Sequence, residues 1–132
     1  LLGGGGVAQE TDTSGITANA NTTGSATSLA TANLTIPSHW LGYKVAAEIA
    51  WTAAAMSAGT ASGFFALRIG STDLYEMSIE VGTPSVAGVL VGRSTGLTAT
   101  GTVPVILRGR HSPSPVIQCS SISIYARAIR TA

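Results

Sequence analysis

The chain has 132 residues, enough for one domain with its own core and no need of metals or disulfides. Only 10% of its residues are charged, and seven basic against six acidic side chains leave a net charge of +1. That balance gives no case for nucleic-acid binding, which usually demands a clustered basic surface, and no apolar run approaches the ~18–20 residues of a membrane span.

Residues 1–26, LLGGGGVAQETDTSGITANANTTGSA, hold four consecutive glycines and mostly small polar residues, with only Leu1, Leu2, Val7 and Ile16 able to anchor a core. This composition predicts a flexible or extended arm or linker, free to order along a neighbouring subunit. The glycines are not a phosphate loop, because no Gly-Lys-Ser/Thr follows them. The opening also lacks the charged n-region and long apolar core of a signal peptide, and there is no initiator Met. The chain therefore reads as a mature product or a piece of a longer polypeptide, with a folded domain over residues 27–132.

Within that domain, residues 28–36 alternate Ala30, Ala32, Leu34 and Ile36 against Ser, Thr and Asn, which predicts a strand stopped by Pro37. Residues 42–52, GYKVAAEIAWT, carry the clearest period of two in the chain: Tyr43, Val45, Ala47, Ile49 and Trp51 on one face, Lys44, Ala46, Glu48, Ala50 and Thr52 on the other. A loop is expected over 53–63. A strand over 64–69 then turns Phe65, Leu67 and Ile69 inward and Phe64, Ala66 and Arg68 outward. Gly70-Ser71 is a hairpin turn, and 74–81 form a strand with Tyr75, Met77, Ile79 and Val81 inward and Glu76, Ser78 and Glu80 in solvent. A weaker strand follows over 86–92, then a loop or poor edge strand over 94–102. The strand over 103–110 sets Val105 and Leu107 against Ile106, Arg108 and Arg110. His111 and two prolines make a turn, and the chain ends in a strand over 116–130 with Ile122, Ile124, Ala126 and Ala128 on its inner face. About eight strands, glycine and proline turns and no helix make an all-β protein, a jelly-roll-like β-sandwich with an extended N-terminal arm. Its expected core is Tyr43, Val45, Ile49, Trp51, Leu67, Ile69, Met77, Ile79, Ile122 and Ile124.

Chemistry is hard to place. The single Cys119 allows no internal disulfide and suits a buried strand position. His39 and His111 lie in predicted turns, with no HxH, HExxH or CxxC spacing, so no metal ligands or cofactor are expected. No GxSxG elbow marks a nucleophile to meet those histidines and Asp12 or Asp73. Glu48, Asp73, Glu76 and Glu80 all fall on polar faces or turns, which argues for ordinary solvation over a glycosidase pair. No catalytic residue is assigned. Arg68, Arg108, Arg110 and Arg127 point outward from strands, where they protect edges or reach a subunit interface, and Trp40 and Tyr125 are the aromatics least clearly core. These six residues are the candidate interface or ligand contacts.

The stretch LATANLTIPSHWLGYKVAAEIAWTA, with GFFALRIGSTDLYEMSIEV after it, resembles β-sandwich modules of tailed-bacteriophage virion proteins. The shared features are Ile36-Pro37 ending an extended strand, the Leu41-Gly42 step, a hairpin from Leu67 to Leu74, and a final alternating strand from Ile122 to Ile129. The likeness spans residues 27–130 and includes no fibre-shaft repeat. Such modules occur as capsid decoration proteins, head or tail fibre domains and minor tail proteins. The resemblance implies a jelly-roll-like domain in a virion, often trimeric, contacting other virion proteins, with no catalytic residues to carry over. The alternative is a module binding a host-surface glycan or receptor, with its site in the loops over 53–62, 92–102 and 111–115.

Overall fold

The computed structural model describes residues 8–20 and 23–132, apart from the side chain of Tyr75. Eight strands fill it: β1 (Ala8–Ala20), β2 (Thr27–Ile36), β3 (Tyr43–Ala55), β4 (Ala61–Ile69), β5 (Thr72–Val81), β6 (Val86–Arg93), β7 (Gly101–His111) and β8 (Ile117–Arg130). They form two four-stranded antiparallel sheets, ordered β1-β8-β3-β6 and β2-β7-β4-β5. Only β4 and β5 are neighbours both in sequence and in a sheet; every other connection crosses the sandwich. This is jelly-roll wiring, two four-stranded sheets built from interleaved Greek keys.

The alternation read from the sequence is what closes the sandwich. From the first sheet, Val45, Ile49 and Trp51 of β3 and Ile122, Ile124 and Ala126 of β8 turn inward and are buried. From the second, Leu34 of β2, Phe65, Leu67 and Ile69 of β4, and Val105 and Leu107 of β7 meet them. Trp51 and Phe65 bridge the two sheets, their ring centroids 4.9 Å apart at a tilt of 49°. Three glycines make room for these rings. A Cβ on Gly88 would lie 2.5 Å from Trp51, one on Gly63 2.6 Å from Phe65, and one on Gly109 2.7 Å from Leu29 and 3.1 Å from Phe65. Met77 and Ile79, expected in the core, are only partly buried and pack against its rim from the edge strand β5. Tyr75, read as inward, has its side chain outside the described residues.

The N-terminal region departs most from expectation. Ala8–Ala20 is not an arm outside the domain but the edge strand β1, paired to β8 from Ala8↔Ile129 to Ala20↔Ile117. It orders along its own chain. Its period is hidden by a change of parity. Glu10, Asp12 and Ser14 are exposed while Thr11 and Thr13 are half-buried; beyond Gly15, with φ of +72°, the sheltered residues are Ile16, Ala18 and Ala20. The bulge that flips the pattern falls in the β1–β8 register between Thr13 and Ile16. β8 carries the matching flip, from Ile117 and Cys119 to Ile122 and Ile124, across Ser121 at φ +53°. Of the two readings of 94–102, loop or poor edge strand, the loop forms over 94–100, tied to β3 by an isolated bridge between Leu97 and Tyr43, and Gly101 and Thr102 open β7.

Candidate functional site

The connections sort to the two ends of the sandwich. At one end Met56 N donates to Val116 O (2.9 Å) and Ser112 N to Ser62 O (2.9 Å), so the 56–60 and 112–116 loops lie together. At the other, Tyr43 N donates to Leu97 O (3.0 Å) and Leu41 N to Ala132 O (2.8 Å). β3 separates these ends by 13 residues, ~40 Å of extended chain. The loops over 53–62 and 111–115 therefore do not meet the loop over 92–102, and the single loop-built site expected of a glycan binder does not form.

Trp40 is not a ligand contact either. It is 1% exposed and packs 6.1 Å from the Tyr43 ring, closing the end of the core; its indole Nε1 has no hydrogen-bond partner among the described residues. The exposed residue there is its neighbour Leu41, at 74%. His111, expected in a turn, is the last residue of β7. It is buried, with Nδ1 against the carbonyl of Ser112. His39 lies in the connection at the opposite end. Among the described residues no group of three or more His, Cys, Asp and Glu side chains gathers. Glu48 stands on the outside of one sheet, and Asp73 and Glu76 on the outside of the other. Cys119 faces the core, where burial pushes its thiol up to about 12. We expect no alkylation of this thiol at pH 8 in the folded protein and rapid alkylation in urea. Because the unfolded thiol ionises from its ordinary 9.0 while the folded one stays protonated, its contribution to stability is complete below that pH and falls as pH rises toward about 12.

The outward arginines of the β2-β7-β4-β5 sheet are ion-paired within the chain, although Arg108 Nε has no hydrogen-bond partner among the described residues. Asp73 accepts from Arg68 Nε at 2.8 Å and from Arg108 at 3.2 Å; Glu76 accepts from Arg110 at 3.1 Å. Arg110 also lies 4.1 Å above the Phe64 ring, and Arg108 donates to the carbonyl of Ala26 at 2.5 Å. Arg68 pairs with the residue opposite it in register, Asp73; across β4, Arg108 and Arg110 stand level with Glu76 and Ser78 and each reaches diagonally, Arg108 to Asp73 and Arg110 to Glu76.

The outer face of the β1-β8-β3-β6 sheet is different. Cross-strand pairing builds one row from Glu10, Arg127, Ala46 and Arg93, and the next from Asp12, Tyr125, Glu48 and Val91. Lys44 and Ile129 form the row beyond the arginines. Val89 (53%), Val91 (59%), Tyr125 (46%) and Ile129 (39%) are exposed apolar side chains on this face. Tyr125 donates its hydroxyl to Glu10 at 2.5 Å, and Arg127 Nε lies 3.7 Å from the same oxygen. The hydrogen bond to Glu10, with the Glu10 and Asp12 charges, raises the Tyr125 pKa, and Arg127 opposes them. Two hollows result. One of about 450 Å³ is lined by Lys44, Arg93, Ser94, Arg127, Ile129 and Thr131. The other, of about 280 Å³, is lined by Asp12, Ser14, Glu48, Ser123 and Tyr125. Lys44, Arg93, Asp12 and Glu48 make no ion pair among the described residues. Of the six residues singled out from sequence, this face gathers Tyr125 and Arg127, the opposite face gathers Arg68, Arg108 and Arg110, and Trp40 belongs to the core.

No protein-family model matches the chain, and no curated protein does. Among solved structures it is similar to the PRD1 vertex protein P5, at 12% identity and a TM-score of 0.38, over 98% of this chain and 100% of that one.

Proposed function

We propose that the chain is a structural module of a bacteriophage virion, a projecting capsid-decoration or tail-fibre domain that acts by assembly and adhesion and not by turnover. The observation that carries this reading is the contrast between the two outer faces. One has its arginines neutralised by the chain's own carboxylates; the other leaves charge and apolar surface uncommitted on a wall of small residues, as suits a contact between subunits. The jelly-roll wiring, common in viral capsid domains, is in keeping with it, and so is the sequence likeness at Ile36-Pro37, Leu41-Gly42 and Leu67 to Leu74. In this reading the protein resides in the virion and contacts other virion proteins as a homo-oligomer; the sequence resemblance favours a trimer. The test is to add the purified chain to particles that lack it. Saturable co-sedimentation and density at a repeated position on the particle are expected, and no binding at any concentration would refute the reading.

A second reading, a host-glycan-binding module, draws on one observation. The exposed Tyr125 ring borders a hollow with Asp12 and Glu48, an arrangement suited to stacking a sugar ring and accepting its hydroxyls. Glycan-array binding lost in Tyr125→Ala would favour it over the first, and an array with no signal would remove it.

A further inference from the structure

The outer face of the β1-β8-β3-β6 sheet has a charge layout that fits a second copy of itself. It carries Lys44, Arg93 and Arg127, three of the chain's seven basic residues, and Glu10, Asp12 and Glu48, three of its six acidic ones. The face is thus neutral as a whole but divided. Lys44 and the two arginines border one hollow, and Asp12 and Glu48 border the other. Successive outward rows along a strand are two residues apart, ~7 Å, so the basic and acidic zones are adjacent, and Glu10 is the acidic residue that lies in the arginine row. On the opposite face the same residue types pair within the chain; here the register sets Arg127 and Arg93 on either side of Ala46, and Tyr125 and Val91 on either side of Glu48. The contacts among charged and phenolic groups on this face are those of Glu10, with Tyr125 and at 3.7 Å with Arg127, which leave Lys44, Arg93, Asp12 and Glu48 without an ion pair among the described residues.

We infer that this face docks against the same face of a second copy of the chain, about a two-fold axis that lies in the interface and runs across the strands. Such an axis reverses strand direction. It therefore brings the Lys44, Arg93 and Arg127 zone of each copy over the Asp12, Tyr125 and Glu48 zone of the other, twice per contact, as an isologous interface requires. The exposed Val89, Val91, Tyr125 and Ile129 supply the apolar area between the charges, and Ala46 and Ala50 let the sheets approach closely. Four strands ~4.8 Å apart and about ten residues long present roughly 600 Å² in projection, of the order of the ~800 Å² per partner of a standard interface. A two-fold contact departs from the trimer that the sequence resemblance implies. The inference rests on the assembly reading above and names the partner and surface.

The test is a charge exchange read by sedimentation velocity, with circular dichroism confirming that each variant is folded. All the substituted residues are exposed on the sheet surface. The wild type is expected to dimerise at low salt and to weaken as salt screens the contact. Lys44→Glu/Arg93→Glu makes the face acidic and Asp12→Lys/Glu48→Lys makes it basic; each alone should self-associate at least ~100-fold more weakly, through like-charge juxtaposition. An equimolar mixture of the two should recover the dimer, because every opposed zone is again of opposite sign. A wild type that stays monomeric at the highest concentration, variants that dimerise like the wild type, or a mixture that stays monomeric would each overturn the inference. A monomeric wild type that still decorates particles would overturn the two-fold contact and leave the virion reading intact; a dimer that ignores particles would do the reverse.

Discussion

Removal of residues 1–20 abolishes folding of the domain; this is the largest effect expected of any change considered. β1 pairs with β8 along ten register positions, and backbone hydrogen bonds contribute about 0.5–1.5 kcal/mol each. With roughly one bond per position, the loss is about 5–15 kcal/mol, comparable to the ~5–15 kcal/mol stability of a typical domain. β8 would also become a bare edge, its inner residues Ile122 and Ile124 covered from one side fewer, and bare edges template aggregation. A truncated chain should give poorly dispersed amide NMR spectra or precipitate. A truncation with the urea midpoint of the full chain would mean that β1 is only an arm.

The second large effect is at the centre of the sandwich. Trp51→Ala removes a ring that is buried against Phe65 and should cost ~3–5 kcal/mol, read as a fall in the urea midpoint. Its companion test is Gly88→Ala. A Cβ at Gly88 would stand 2.5 Å from the Trp51 ring and 3.0 Å from Ile79, so this addition of one methyl should cost ~1–3 kcal/mol. The two sites are in contact, so their effects should not add. In a Trp51→Phe background the smaller ring leaves space and Gly88→Ala should be milder. Equal costs in both backgrounds would mean that the Gly88 notch is not shaped by Trp51.

How much was legible depended on whether a strand kept one parity. β3 does: from Tyr43 to Ala55 its inward residues are all odd-numbered, and its burial follows the sequence alternation without a break. The same holds for Val103, Val105 and Leu107 in β7. β1 breaks parity at Gly15 and is made largely of Thr, Ser and Asn. Its half-buried threonines contribute through backbone pairing and shelter from β8, not through apolar payload, so composition pointed to a linker. Trp40 was ambiguous for another reason. It sits in a connection after Pro37, and only the return of the C-terminal residues, with Ala132 accepting from Leu41 and Gly42, shows that this connection caps the core.

The surface was the least legible part. Outward arginines on Arg68, Arg108, Arg110 and Arg127 look alike in sequence, because period two states only that each leaves the core. Whether such a side chain is neutralised depends on which strand lies beside it and in what register. Asp73 reaches both Arg68 and Arg108 because β5 and β7 flank β4 on opposite sides, whereas Arg93 has Ala46 as its register partner. By itself the sequence determined the all-β class, seven of the strands and the inward set on β3, β4, β7 and β8 beyond Ser121, since these follow from local alternation and the burial it demands. Only the tertiary structure decided the eighth strand, the separation of the loops to opposite ends, and the division of the β1-β8-β3-β6 face into basic and acidic halves. Those are consequences of sheet order and register, which bring together residues as far apart in the chain as Glu10 and Arg127.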